Sequence, residues 1–168
     1  RIDQDQPYPR CGFEMIALLQ RVSEASVLVN ESSSGPTTIA AISHGILALI
    51  AIEKGDNKAR AERLLQRILA YRLFPDEHDR MNLNLRQVGG ELLLVPQFTL
   101  AADTNSGNRP SFTPAAEPDE GRRLYAFLLD SACRELGKVP SGHFGADMRV
   151  SLVNDGPVTF HLRVGPDS

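Results

Sequence analysis

The feature that most constrains the fold is a pair of neighbouring segments with different hydrophobic periods. Residues 46–52 form an uninterrupted apolar run of strand length, bounded by turn signals, which is typical of a strand buried on both faces. After Asp56, the expected N-cap, apolar residues recur at helical spacing. These positions are Ala61, Leu64, Leu65, Ile68 and Leu69. A buried strand followed by an amphipathic helix predicts an α/β protein, and 168 residues fit a single domain.

The remaining segments add strands around this unit. Residues 16–30 are β-prone with a polar break at 23–24, so we expect two short strands there, and residues 37–42 read as the return strand of a hairpin after a turn cluster at 30–36. Residues 91–95 form another apolar strand. The alternating segments 148–152 and 158–164 flank turn residues 154–157, which predicts a C-terminal β-hairpin.

A second helix is expected to begin near Pro118 and to end at Gly137. Its apolar stripe consists of Leu124, Phe127, Leu128 and Ala132. Before it, residues 102–118 form a long irregular stretch, and loops of this length in compact domains are often functional.

Composition restricts the possible classes of protein. No apolar run approaches the ~20 residues of a membrane span. The net charge of −3 argues against an extensive basic surface that binds the phosphates of a nucleic-acid duplex. Cys11 and Cys133 have no partner motif, which argues against a disulfide scaffold or a zinc site and favours a reducing compartment. Residues 1–14 have neither helical nor strand periodicity and lack the apolar core of a secretion signal, so we expect a loose tail and a cytoplasmic protein.

Two local anomalies are candidates for a functional site. Thr99 follows an apolar strand that ends in Pro96, and proline gives no ladder hydrogen bond, so the strand could open onto a pocket. Thr99 can equally be an ordinary strand-end hydroxyl. The Gly156-Pro157 bond can be cis, because proline readily permits it, or it can belong to an ordinary hairpin turn. The four histidines have no metal-ligand spacing, and no metal or cofactor is expected.

Several motifs in order resemble the D-aminoacyl-tRNA deacylases, from Met15 to Val164. The matching segments are residues 19–27, 89–93, 97–100 with 102–104, 109–112, 144–148 and 150–159. The resemblance implies a three-layer α/β/β fold with two main helices, a homodimer, and hydrolysis of the ester that joins a D-amino acid, or glycine, to the terminal adenosine of a tRNA. Residues 1–14 lie outside it.

The resemblance also implies the site residues. A Ser-Gln-x-Thr motif maps to Pro96, Gln97, Phe98 and Thr99, so proline replaces the family's serine. The expected oxyanion donors are backbone amides around Phe98 and Thr99, and the substrate's own 2′-hydroxyl is expected to help; Thr99 as a covalent nucleophile is the older alternative.

A Gly-cis-Pro pair maps to Gly156 and Pro157 and is expected to enter the partner subunit's pocket, where its carbonyls would exclude an L side chain. Arg21 and Asn154 are expected to support this pair, although Arg21 can also be a plain surface arginine.

The adenosine pocket is assigned to Ala116, Phe144 and Met148, each of which can instead be core. Lys54, Lys58, Arg60 and Arg109 are candidates for weak phosphate contacts or simply solvated charges. Two rival functions remain open: a non-catalytic nucleic-acid-binding module on the same fold, and a related deacylase with a trans proline bond that accepts L-alanine.

Overall fold

The computed structural model describes residues 12–31 and 35–166, and its main feature is a curled, half-barrel sheet of five strands. The strands of this sheet are β1 (Met15–Glu31), β2 (Gly35–Ile42), β3 (Gly45–Ala51), β6 (Glu91–Pro96) and β7 (Met148–Val164). A small ribbon consists of β4 (Phe74–Pro75) and β5 (Met81–Leu83). Two helices, α1 (Lys58–Ala70) and α2 (Pro118–Leu136), complete the mixed α/β domain, and a short 3₁₀ helix (Phe98–Ala101) follows β6.

The long strands β1 and β7 correct two sequence predictions. They pair antiparallel along almost their whole length, from Met15 opposite Val164 to Val29 opposite Met148. The predicted break at 23–24 is wrong, because β1 continues through it with only a shift of register. The predicted C-terminal hairpin is also wrong. Both halves of β7 run in the same direction along β1, so the turn residues 154–157 form a bulge rather than a reversal.

Strand β3 is buried on both faces, as its apolar run predicts. It pairs antiparallel with β1 and parallel with β6. Ile46, Ala48 and Ile50 face a core shared with the helices, whereas Leu47 faces a second core on the opposite side of the sheet. The hairpin of β1 with β2 is confirmed as well, although residues 32–34 of its predicted turn lie outside the described part.

Helix α1 buries all five residues of its predicted apolar stripe. Its N-cap is Asn57 rather than Asp56, because the Asn57 side chain accepts a hydrogen bond from the Arg60 backbone N–H at 3.0 Å. The buried Asp56 carboxylate accepts instead from the Glu53 N–H at 2.8 Å and the Arg60 guanidinium at 2.9 Å. Burial raises the pKa of Asp56, and the Arg60 contact partly opposes this shift.

Helix α2 has the predicted limits, beginning at Pro118 and ending before Gly137. Leu124, Leu128 and Ala132 are buried, while Phe127 is half-buried at the edge of the core. The chain between the 3₁₀ helix and α2 is irregular, as expected, apart from isolated bridges. No helix in residues 12–31 and 35–166 is both long and apolar enough to cross a membrane.

The two cores explain how the layers assemble. The first lies between the helices and the sheet. The second lies inside the curl of the sheet, where the distal half of β1 and the first half of β7 meet side chains of β2, β3 and β6. Residues 1–11 of the predicted tail lie outside the described part. Its last residues contact the domain: the Phe13 carbonyl accepts from Arg60 at 3.1 Å, and the Glu14 N–H donates to Glu53 at 2.7 Å.

Candidate active site

A cavity of about 470 Å³ lies at the carboxyl end of β6, beside the start of α2 and the first residues of β7. The predicted site residues in its wall are Pro96, Gln97, Phe98, Ala116, Phe144 and Met148. Sequence reasoning did not assign the other wall residues, which are Val95, Pro118, Val150 and residues 145–147. The available signal for 145–147 was their place inside the 144–148 motif. The cavity thus brings together residues from three separate stretches of the chain, 95–98, 116–118 and 144–150.

The 3₁₀ helix carries Thr99, which the sequence placed at a strand end. Thr99 does not line the cavity, but its hydroxyl oxygen accepts a hydrogen bond from the side-chain amide of Gln97, which does. The Gln97 backbone N–H donates to the Ile50 carbonyl at 2.7 Å and fixes the chain as it leaves β6. Gln97 therefore links the Thr99 hydroxyl to the cavity wall.

The backbone amides of Phe98 and Thr99 are available donors. The hydrogen bonds of this turn are made by later residues, since Leu100 N–H donates to Gln97 and Ala102 N–H donates to Thr99. Within the described residues, the Phe98 and Thr99 N–H groups have no acceptor, as is usual for the first residues of a helix. The pair of amides, one on Phe98 in the cavity wall and one on the next residue, therefore has no acceptor among the described residues.

The far wall of the cavity is aromatic. The Phe144 ring lies 6.2 Å from the Tyr125 ring, and the Arg122 guanidinium stacks over its face at 5.0 Å. At the opposite rim, Phe98 is 57% exposed and its ring lies 5.0 Å from that of Phe112. Such exposed rings are surfaces on which a nucleobase can stack.

A buried network holds the aromatic wall against β6. The Tyr125 hydroxyl donates to the Leu94 carbonyl at 3.0 Å and lies 2.6 Å from the Ser141 hydroxyl. Burial raises the pKa of Tyr125 far above its usual value, so the phenol stays a neutral donor. A Cβ at Gly142 would lie 2.8 Å from the Met148 sulfur and 3.2 Å from Pro96 Cδ, so a larger residue here would displace the Met148 side chain in the cavity wall.

The 154–157 bulge interrupts β7 opposite Arg21. The register passes from Gln20 opposite Thr159 to Val22 opposite Asn154. The Gly156-Pro157 peptide bond is cis, and both residues are exposed. Neither residue lines the cavity of its own chain.

Arg21 and Asn154 brace this bulge from two sides. The Arg21 guanidinium donates to the Asp155 carbonyl and to the Leu73 carbonyl, both at 2.8 Å. The Asn154 side chain accepts from the Val158 N–H at 2.8 Å and donates to the Thr159 hydroxyl at 3.0 Å. These bonds hold both ends of the bulge. The sequence alone left two readings of Arg21, a residue that supports the Gly-Pro pair and a plain surface arginine.

Gly156 is required by the shape of the bulge. Its φ of +153° lies in a region that L side chains rarely adopt. A Cβ at this position would lie 2.6 Å from Val158 Cγ2 and 2.7 Å from the Val158 backbone nitrogen. A substitution here must therefore move the backbone.

The described residues contain no group of three or more His, Cys, Asp or Glu side chains that could hold a metal ion. His44 packs its ring edge against Phe74, with 5.1 Å between the ring centres. Thr99 has no acidic or imidazole partner among the described residues. The described residues of the cavity and its rim therefore offer backbone amides, the Gln97 side-chain amide, the Asp147 carboxylate and aromatic faces, with the Thr99 hydroxyl held beside them.

Comparison with known proteins identifies the family. A family model described as D-Tyr-tRNA(Tyr) deacylase matches residues 18–163. The D-aminoacyl-tRNA deacylase of Thioalkalivibrio sulfidiphilus is 62% identical, over 90% of this chain and 99% of its own. That of Methylococcus capsulatus is 58% identical, over 91% and 97%.

Two solved structures share the fold. One, titled c-Myc DNA Unwinding Element Binding Protein, superposes with a TM-score of 0.82 at 33% identity, covering 89% of this chain and 99% of its own. The other, titled a probable eukaryotic D-amino acid tRNA deacylase, has a TM-score of 0.77 at 17% identity, covering 90% and 100%. From the family model and the close relatives, the chain belongs to the D-aminoacyl-tRNA deacylase family.

Proposed function

We propose that this protein hydrolyses the ester bond between a D-amino acid and the terminal adenosine of a tRNA, releasing free amino acid and tRNA in the cytoplasm. The observation that carries the proposal is the cavity at the end of β6, whose wall holds six of the site residues predicted from the family resemblance. Glycyl-tRNA, in particular glycine mischarged on the alanine tRNA, is a second proposed substrate, because glycine has no side chain for the site to reject.

The proposed chemistry uses main-chain donors. An ester is already activated, so the principal need is to stabilise the oxyanion that develops on its carbonyl oxygen. The free N–H groups of Phe98 and Thr99 are the proposed donors. The Thr99 hydroxyl, held by Gln97, supports them, and the absence of a base beside it among the described residues disfavours a covalent role. The 2′-hydroxyl of the terminal ribose is the proposed assisting group.

Pro96 occupies the position of the family's serine. Its ring lines the cavity, so a contact made by the serine hydroxyl is missing here. Proline at this position keeps a backbone carbonyl, and the proposed amide donors are on the two residues beyond Gln97. We therefore propose that Pro96 shapes the cavity wall without taking part in the chemistry.

Chirality selection is proposed to occur between two subunits of a homodimer with the three-layer α/β/β arrangement. The Gly156–Pro157 bulge is exposed, is braced at both ends and does not line its own cavity, which supports a role in the partner subunit's pocket. Its carbonyls would occupy the space of an L side chain, and a D side chain would point outward. Selection by exclusion tolerates many different D-amino acids.

The adenosine is proposed to lie against Ala116, Phe144 and Met148. These side chains line the cavity from different elements and are partly exposed, which favours a ligand contact over simple core packing. An aromatic and apolar wall suits the terminal base, because single-stranded RNA ends are held by stacking and 2′-hydroxyl contacts. Such recognition is compatible with the net charge of −3.

The decisive experiment compares D-tyrosyl-tRNA and L-tyrosyl-tRNA as substrates for the full chain. We expect release of D-tyrosine and protection of L-tyrosine, with glycyl-tRNA also hydrolysed. Gly156→Ala is the matched variant, and it should reduce the preference for the D form because the bulge must shift. Equal rates on the two enantiomers with the wild-type protein would remove the proposed role of the bulge, as would cleavage of L-alanyl-tRNA in preference to the D substrates.

A non-catalytic nucleic-acid-binding module is the second candidate. One observation favours it: the solved structure with the higher TM-score bears a title that names DNA binding. This alternative predicts nucleic-acid binding with a steep salt dependence and no release of amino acid. The same deacylation assay separates the two, since a pure binding module leaves both charged tRNAs intact.

A further inference from the structure

A second concave surface lies along α1, away from the cavity at the end of β6. It has a volume of about 620 Å³ and runs between α1 and the second half of β7. We call it the arginine groove; its principal residues are Arg63, Arg67, Arg72, Tyr71, Phe160 and Met81. Nothing in the proposed deacylation chemistry uses these residues.

The groove concentrates positive charge in an otherwise acidic protein. No acidic side chain lines it, and within residues 12–31 and 35–166 none of its three guanidinium groups forms an ion pair. Arg67 donates to the Arg163 carbonyl at 2.7 Å and Arg72 to the Asn82 side chain at 3.2 Å. Since each guanidinium carries five N–H donors, most of this capacity remains available to a ligand.

Two of these arginines repel each other along the helix. Arg63 and Arg67 are one turn apart on α1, and like charges at this spacing destabilise a helix. A bound anion would relieve this repulsion. The guanidinium group is planar and presents paired donors, which match the oxygens of a phosphate.

Aromatic side chains beside the arginines favour a nucleic acid over other anionic ligands. The rings of Tyr71 and Phe160 lie 5.3 Å apart in a tilted arrangement, and Met81 is 50% exposed at the groove's edge. Tyr71 and Phe160 pack partly against the core and leave part of each ring open to the groove. Arginines beside accessible aromatic rings suit a nucleic-acid strand, with phosphates on the cations and bases or sugars on the rings.

The groove also lies next to the bulge that is proposed to face the substrate. Leu73 follows Tyr71 and Arg72 directly in the chain. Its carbonyl accepts a hydrogen bond from the Arg21 guanidinium, which also donates to the Asp155 carbonyl in the bulge. An RNA strand that crosses the groove therefore passes beside the bulge. We infer that the arginine groove binds the sugar–phosphate backbone of the tRNA outside its terminal adenosine; this inference rests on the proposed function for the identity of the RNA.

The test compares two double variants that remove the same charge. Arg63→Ala/Arg72→Ala empties the groove of two cations without touching the cavity. Arg86→Ala/Arg123→Ala is the control, because both of these arginines are exposed and already ion-paired with Glu135 and Glu120. Binding of tRNA without an attached amino acid is measured from roughly 50 to 200 mM salt, the range over which phosphate contacts change the affinity strongly.

For the groove variant we expect about tenfold weaker tRNA binding, and a slope of log K against log salt that is shallower by roughly 1.5, from two lost phosphate contacts. The control should bind as the wild type does. In hydrolysis, KM for D-tyrosyl-tRNA should rise by a similar factor, whereas D-tyrosyl-adenosine, which has no RNA backbone, should be cleaved at the wild-type rate.

Three results would overturn the inference. The groove variant could bind tRNA as the wild type does, in which case the groove serves another anion, such as an acidic peptide. The control could weaken binding equally, which would indicate general charge. The small ester could be impaired as much as the tRNA, which would indicate damage to the fold. Failure of the proposed function looks different: the wild type would cleave neither substrate, while the binding measurement would still report on the groove.

Discussion

Replacing Arg21 by Met should release the 154–157 bulge while keeping the apolar stem that packs in the sheet. The side chain is 12% exposed and donates to two carbonyls at 2.8 Å, those of Asp155 and Leu73. A hydrogen bond with a charged partner is worth about 1.5–3 kcal/mol. The contact with the Asp155 carboxylate, at 3.6 Å and half exposed, adds little.

Water can replace the guanidinium at the exposed Asp155 carbonyl more easily than at the Leu73 carbonyl. The loss of stability should therefore be smaller than the summed energies of the two hydrogen bonds. We expect the free energy of unfolding to fall by about 2–4 kcal/mol. For a chain of this length that corresponds to a loss of roughly 4–16 °C in Tm. Arg21→Lys should lose about half as much, because one ammonium group cannot span both carbonyls as the planar fork does.

Stability is measured by urea unfolding at one fixed protein concentration. Hydrolysis of D- and L-tyrosyl-tRNA is measured without urea, at a temperature below the thermal unfolding transition of the variant. A positioning role predicts that the preference for the D substrate falls, because the bulge moves. A purely structural role would lower both rates by the folded fraction and leave their ratio unchanged. A variant that is as stable as the wild type, or one that keeps its D preference despite lost stability, would refute the reasoning.

Three further changes test separate parts of the molecule. Thr99→Ala should lower the single-turnover rate constant of hydrolysis by less than about tenfold, because the proposed oxyanion donors are backbone amides. A completely inactive variant would show instead that the hydroxyl is essential. Tyr125→Phe should cost about 1–2 kcal/mol in urea unfolding, because the Leu94 carbonyl loses its buried donor, and an unchanged midpoint would contradict this. Burial raises the pKa of Asp56 above 3.8, so the folded state binds its proton more tightly than the unfolded state does. The stability of the wild type relative to Asp56→Asn should therefore decrease as the pH rises from 3.8 through the folded pKa; a difference that grows with pH would have the wrong sign.

The elements predicted correctly from sequence are those whose signal is local. The stripe of α1 and the double-sided burial of β3 follow from hydrophobic period alone, and both are confirmed. The two errors in the strands have one cause. Turn propensity at 23–24 and 154–157 is a local preference, but β1 and β7 hold each other along their length, and this nonlocal pairing overrides it.

In the candidate site too, local sequence motifs were predictive and contacts between distant segments were not. The motifs located the β6 end of the cavity, and Phe144 and Met148 on its far wall. Residue patterns could not show that Tyr125 anchors this wall through Leu94, nor that Arg122 stacks on Phe144, since these contacts join segments that are far apart in sequence. The N-cap error at Asp56 is a displacement of one residue, caused by its capture by Glu53 and Arg60.

The interrupted pairing of β7 sets limits on length changes along the chain. Residues 148–153 and 159–164 are each in continuous register with β1. One added residue between Thr159 and Leu162 would therefore exchange inward and outward side chains in that stretch and expel Leu162 from the interior. An insertion between Asp155 and Val158 leaves both registers intact. Engineering that aims to widen the range of accepted substrates should therefore place its insertions between Asp155 and Val158, where both stretches keep their pairing with β1.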